Sequence, residues 1–185
     1  MRKILMAAAV FGTLLIGGLS ATAQDVPKLE AFVGYSYVRF IPPSSSGVPS
    51  FGLNGASGSI SYNPIPVLGV VADFGFYHTG NAAGSSLTVN NTSYMFGPKV
   101  AFRLGGITPF AHALFGGVHS AALAPGSGTA SGNNFATAVG GGLDANIAPH
   151  LSIRLIQAEY MLIRGSGTNV SMPRISVGIV FRSGS

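Results

Sequence analysis

The chain has no cysteine and no tryptophan, and only 8% of its 185 residues are charged. Without thiols there is no disulfide framework, no thiolate metal centre and no lipid attached through a cysteine at a processing site. The five acidic residues form no cluster of the kind that holds calcium. The basic residues are scattered, with neither the patch nor the interleaved aromatics of a nucleic-acid binder, so no nucleic-acid partner is expected. Long hydrophobic runs are scarce as well, although 47% of the chain is hydrophobic.

The one apolar run that stands out is at the start. Met1-Arg2-Lys3 is basic, Ile4 to Gly18 is apolar and small, and Ala21-Thr22-Ala23 offers a small-x-small cleavage pattern. This order is that of an export signal, and the run is short for a spanning helix. Residues 1–23 are therefore expected to be removed before Gln24, leaving 24–185 as one barrel domain. Loss of Arg2 and Lys3 leaves eight basic against five acidic side chains, a net charge of +3.

Beyond Gln24 the chain is read by a period of two, the spacing at which strand residues return to the same face. Leu68, Val70, Ala72, Phe74 and Phe76 alternate with Gly69, Val71, Asp73, Gly75 and Tyr77. Tyr94, Phe96, Pro98, Val100 and Phe102 alternate with Ser93, Met95, Gly97, Lys99 and Arg103. Similar alternation runs through 135–147 and 174–182, and more weakly through 28–40 (where Phe32 sits on the polar side) and 54–63. In 107–120, Ala111, Ala113 and Phe115 are expected outward and His112 and Gly116 inward. Residues 150–163 break parity, because Arg154 and Glu159 cannot share a face of a regular strand. A β-bulge near Ile156-Gln157 would restore it.

Eight strands result, joined in turn by tight connections at 63–66, 104–106 and 148–150 and by longer polar ones at 41–52, 79–91, 121–134 and 164–172. This pattern predicts an all-β, eight-stranded antiparallel up-and-down transmembrane β-barrel. The polar parity is mostly Gly, Ala and Ser, a poor aqueous surface but a suitable filling for a narrow lumen. The bulky parity suits lipid. Its aromatics fall in two bands: Tyr35, Tyr37, Phe74, Phe76, Tyr94, Phe96, Phe135 and Tyr160 toward the long loops, and Tyr62, Phe102 and Phe181 toward the tight turns.

The segments "EAFVGYSYVRF" (30–40), "YMFGPKVAFRLG" (94–105), "FATAVGGGLDANIAPHLSIRLIQAEYML" (135–162) and "RISVGIVF" (174–181) resemble the small eight-stranded outer-membrane barrels of Gram-negative bacteria, OmpA-type in their transmembrane domain. The likeness spans nearly all of 24–185 and does not extend to the peptidoglycan-binding domain of longer members. It implies a Gram-negative outer-membrane location after export, with membrane lipid and lipopolysaccharide as surroundings and a monomeric state. It also implies recognition by the outer-membrane assembly machinery through a last strand ending in an aromatic residue, here Phe181. Arg182-Ser183-Gly184-Ser185 follow that residue and depart from the pattern.

A lumen charge network is expected from Glu30, Asp73, Lys99, Arg103, Asp144, Arg154, Glu159, Arg174 and Arg182, all of which fall on the polar parity once the bulge is allowed. With a three-residue turn at 148–150, Ile147 opposes Leu151 and Asp144 opposes Arg154. Glu30 and Arg182 lie on the two closing strands, and Asp73 lies one strand from Lys99 and Arg103. Such a network either fixes register structurally or gates ions. His119 and Ser120 are neighbours whose side chains point to opposite faces, and Asp144 is expected near the other end, so no nucleophile, base and acid converge. His78, His112 and His150 lack ligand spacing and are read as rim or lumen polar residues. No catalytic, cofactor or metal site is assigned, and an enzyme is not expected. A structural, membrane-integrity role is expected first, a weak ion pore second, and recognition through the long loops third.

Overall fold

The computed structural model describes residues 27–124, 128–165 and 169–183. The expected export signal lies outside the described residues. Period-two alternation with a bulky face and a small face favours strands that roll up on the small face, because Gly, Ala and Ser let opposite walls approach. Eight strands do so: β1 (Leu29–Phe40), β2 (Phe51–Tyr62), β3 (Leu68–Ala82), β4 (Leu87–Ala101), β5 (Ile107–Ala124), β6 (Gly128–Ala148), β7 (Leu151–Arg164) and β8 (Asn169–Ser183). Each pairs antiparallel with its sequence neighbours, and β1 pairs with β8 to close the barrel.

Close approach sets the wall in places. A Cβ on Gly55 would lie 1.8 Å from the Phe76 carbonyl oxygen, and one on Gly97 would lie 2.0 Å from that of Ala113. The outward residues form an apolar belt, with Val33, Phe74, Phe76, Phe96, Val139 and Ile175 all exposed. An apolar surface this continuous is a lipid-facing one. Within it Tyr35 donates to Asn54 at 2.5 Å, and the Tyr160 hydroxyl lies 2.8 Å from Ser171 Oγ, so the ring edges keep polar partners near the loop end.

The tight turns carry the expected chemistry with two corrections. The β6–β7 turn is Pro149-His150 alone: Ala148, not Ile147, faces Leu151, and the register shifts between Asn146 and Ala148 so that Ile147 bulges outward. The bulge in β7 lies at Leu155–Ile156, one residue before its expected place. Arg154 faces Gly178 and Gln157 faces Ser176, which leaves both intervening side chains exposed.

The longer connections differ more from expectation. Among the described residues the β1–β2 connection is the long one outside the strands, and it carries a short 3-10 turn at Ser44–Ser46. Residues 79–91 are mostly strand, with β3 and β4 paired up to Ala82 and Leu87. Residues 121–134 likewise continue the β5–β6 hairpin, paired from Gly117–Phe135 up to Ala124–Gly128. Backbone pairing continues there without any bulky face to signal it, because Ala, Ser, Gly and Asn read as loop residues but pair as readily once the strands are aligned.

Candidate functional site

Every inward side chain is placed by parity, and the inward set divides into two layers. Toward the long-connection end lies an apolar layer including Val38, Leu53, Tyr77, Met95, Leu114, Val118, Met161 and Met172. Toward the tight-turn end lies a layer of charge that holds all nine residues singled out from the sequence.

Glu30 opens the charged layer. Its Oε2 accepts from Lys99 Nζ at 2.6 Å and its Oε1 from Arg103 Nη2 at 3.0 Å, and Arg182 Nε stands 3.7 Å from that Oε1. Asp144 faces Arg154 across the β6–β7 ladder and accepts from its Nε and Nη2 at 2.8 and 3.1 Å, a two-pronged carboxylate–guanidinium pair. Arg154 also donates to Gln157, which in turn donates to Glu159 at 2.8 Å. Glu159 accepts from Arg174 Nε at 2.5 Å and Nη2 at 2.7 Å, and His112 Nε2 lies 2.9 Å from its Oε1. Arg174, fully buried, then reaches across the lumen to Asp73 Oδ1 at 2.8 Å and to the Tyr77 hydroxyl.

Asp73 therefore does not pair with Lys99 or Arg103, although their strand is adjacent; those two turn to Glu30. The tilt of the strands brings β8 opposite β3 inside the barrel, a relation that sequence adjacency does not convey. Gln157 and His112 complete the network, two neutral-type side chains beyond the nine charged ones that parity picks out. His112 was placed inward by parity, but nothing in the sequence pointed it at Glu159.

Phe32, the apparent exception on the polar side of β1, has a role inside. Its ring packs over Gly34 and Gly178, where a Cβ would come within 2.7 and 2.9 Å of it. With Phe110 it also sandwiches the Arg154 guanidinium, each ring centroid 4.3 Å away. Three buried serines, Ser36, Ser57 and Ser176, share hydrogen bonds of 2.6 and 2.7 Å between β1, β2 and β8. Asp73 Oδ2 and both amide atoms of Asn91 are buried without a protein partner. At the other end of the barrel His119 Nδ1 lies 2.9 Å from Asn133 Oδ1 rather than near a carboxylate.

The closed sheet, its apolar outer wall and its filled, charged lumen define the fold: a small eight-stranded antiparallel transmembrane barrel. No family model and no curated protein matches the chain. Among solved structures it is similar to Neisserial surface protein A, with a TM-score of 0.68 at 14% identity over 84% of this chain and 97% of that one. It is also similar to Ail, the attachment invasion locus protein of Yersinia pestis, with a TM-score of 0.59 at 21% identity over 84% of this chain and 99% of that one. OprG of Pseudomonas aeruginosa aligns with a TM-score of 0.57 at 11% identity over 88% of this chain and 98% of that one.

Proposed function

We propose that the protein is a closed barrel of the Gram-negative outer membrane whose role is structural, contributing to envelope integrity rather than to solute passage or catalysis. The observation that carries this is Arg174: its side chain crosses the lumen from β8 to bind Glu159 on β7 and Asp73 on β3. The methionine-rich layer above it leaves ions an apolar stretch to cross, and such stretches impede conduction by dewetting. In this reading the barrel is exported, inserted by the outer-membrane assembly machinery through β8, and stands as a monomer among lipid and lipopolysaccharide. The test is single-channel recording of the refolded chain in a planar bilayer, beside Asp73→Asn and Arg174→Gln. Silent bilayers from a folded wild-type barrel are expected. Discrete openings from wild type, altered by either change, would make the protein an ion pore.

A second reading is favoured by one feature. Residues 128–134 of β6 pair with β5 only, since β7 begins its pairing at Phe135, so one edge of this extension has no strand beside it among the described residues. The stretch carries no charge, proline or bulge, the usual guards of an edge strand. Attachment through strand addition would use this edge. Cells displaying the barrel with residues 120–133 shortened to a tight turn should then lose attachment or self-aggregation while keeping the folded barrel in the membrane.

A further inference from the structure

Charge is divided unevenly between the two sides of the wall. Among the described residues all four carboxylates, Glu30, Asp73, Asp144 and Glu159, are buried in the lumen. Two arginines are placed differently. Arg39 and Arg164 are exposed at the long-connection ends of β1 and β7, on the same parity as the outward Tyr37 and Leu162. The upper rim of the outer wall is therefore cationic, and no acidic side chain among the described residues shares it.

Beneath Arg39 the wall is hollowed. On β2 the outward residues Gly58 and Ala56 lie between bulky ones: Val33 and Phe74 flank Gly58 in the two ladders, and Tyr35 and Phe76 flank Ala56. Small residues between large ones leave a furrow of about 370 Å³ along β2. At its upper end Tyr35 donates to Asn54 Oδ1, and Tyr37 lies over Gly52, where a Cβ would meet its hydroxyl at 2.6 Å. Arg39, the next outward residue of β1, is braced there by a bond of 2.7 Å from Nη2 to Ser50 Oγ. Val33 and Arg39 are six residues apart, which at about 3.3 Å each and a tilt of roughly 40° is a rise of about 15 Å. That is half of the ~30 Å hydrocarbon core, so the guanidinium stands one leaflet's depth above the furrow, at the level of lipid head groups.

We propose that the β1–β3 face of the outer wall is a lipid site: the furrow along β2 seats one acyl chain, and Arg39 with Asn54 holds a phosphate of the same molecule's head group. It rests on the reading of the chain as an outer-membrane barrel with its long connections outside, which puts Arg39 in the outer leaflet. The occupant is a phosphorylated, acylated lipid of that leaflet, the chemistry of lipopolysaccharide's membrane anchor. Asn54 gives its Oδ1 to Tyr35 and keeps its amide hydrogens for an acceptor, while a guanidinium binds phosphate oxygens by charge-assisted bonds. Arg164 supplies the comparison. It has Phe135 opposite it and Leu162 and Tyr160 below, bulky side chains in place of Gly58 and Ala56.

The test is native mass spectrometry of the refolded chain in uncharged maltoside micelles. It is titrated with the bisphosphorylated lipid anchor of lipopolysaccharide and, in parallel, with the same lipid stripped of its phosphates. Arg39→Gln, Ala56→Phe and Arg164→Gln are titrated alongside. All three side chains lie outside the lumen, and heat-dependent gel mobility checks that each barrel forms. One lipid per barrel is expected, bound about tenfold more weakly by Arg39→Gln, by Ala56→Phe and when its phosphates are removed, and unchanged in Arg164→Gln. Equal affinity in wild type and either Arg39→Gln or Ala56→Phe overturns the site, as does indifference to the phosphates. A loss in Arg164→Gln as large as that in Arg39→Gln overturns it too, because it marks attraction to rim charge in general. A barrel that conducts ions yet binds the lipid in this way refutes the structural role alone, and a silent barrel without the binding refutes the site alone.

Discussion

At the residue scale the energetics turn on Arg174. Removing one partner of a buried ion pair strands the others, at a cost of about 3–5 kcal/mol, whereas removing charges together costs far less. Arg174→Gln is therefore expected to lower the barrel's stability by about that amount, and Arg174→Gln with Glu159→Gln to recover part of it. With no tryptophan to report unfolding, the shift is best read from the urea concentration at which the compact gel band disappears. Asn91 makes the opposite case. Its amide is buried without a protein partner, so Asn91→Val should stabilise the barrel by about 1 kcal/mol in the same assay. The inward aim of Asp73 was legible in the sequence, because alternation alone assigns a face. Its partner was not: Arg174 lies 101 residues away on a strand that meets β3 only across the lumen. Phe32 was legible only as an anomaly, since a ring laid over Gly34 of its own strand and Gly178 of β8 leaves no periodic mark of its partner across the ladder.

At the element scale β7 depends on two consecutive outward residues. Leu155 and Ile156 let Arg154 and Glu159 share the lumen face. Deleting Ile156 reverses the parity of one side of the strand, which would place either Arg154 or Glu159 against lipid, and no heat-modifiable band should form on refolding. The parity conflict between those two charges revealed the bulge, but its position to the residue depends on how β8 pairs opposite. Close approach gives a second contrast. Gly55→Ala must push the Phe76 carbonyl aside, at a cost of about 2 kcal/mol or more, whereas Gly132 has nothing within 4 Å and Gly132→Ala should be neutral; parallel urea titrations would separate the two. The lengths of β3–β6 beyond the belt were the least legible part. Their small polar residues carry no face preference, so only the pairing itself shows that residues 79–91 and 121–134 belong largely to hairpins.

At the scale of the molecule, the strand count, the up-and-down order and the lipid-facing side were all readable, because each follows from one rule applied eight times. The division of the lumen into charged and apolar layers was not, since alternation reports which face a residue occupies and not what lies above it. The belt makes its own prediction: Val139 is 61% exposed on the outer wall, and Val139→Lys should cost about 2–4 kcal/mol in lipid vesicles. The chain's order adds something that its finished shape conceals. Both Arg174 and Arg182 arrive on the last strand, and before β8 docks neither Asp73 nor Glu159 has the guanidinium that holds it in the finished barrel. A nascent chain cut short of β8 would thus carry uncompensated carboxylates into an interior that cannot solvate them. Completeness of the chain is thus written into its electrostatics: the lumen carboxylates find their guanidinium partner only when the last strand closes the sheet.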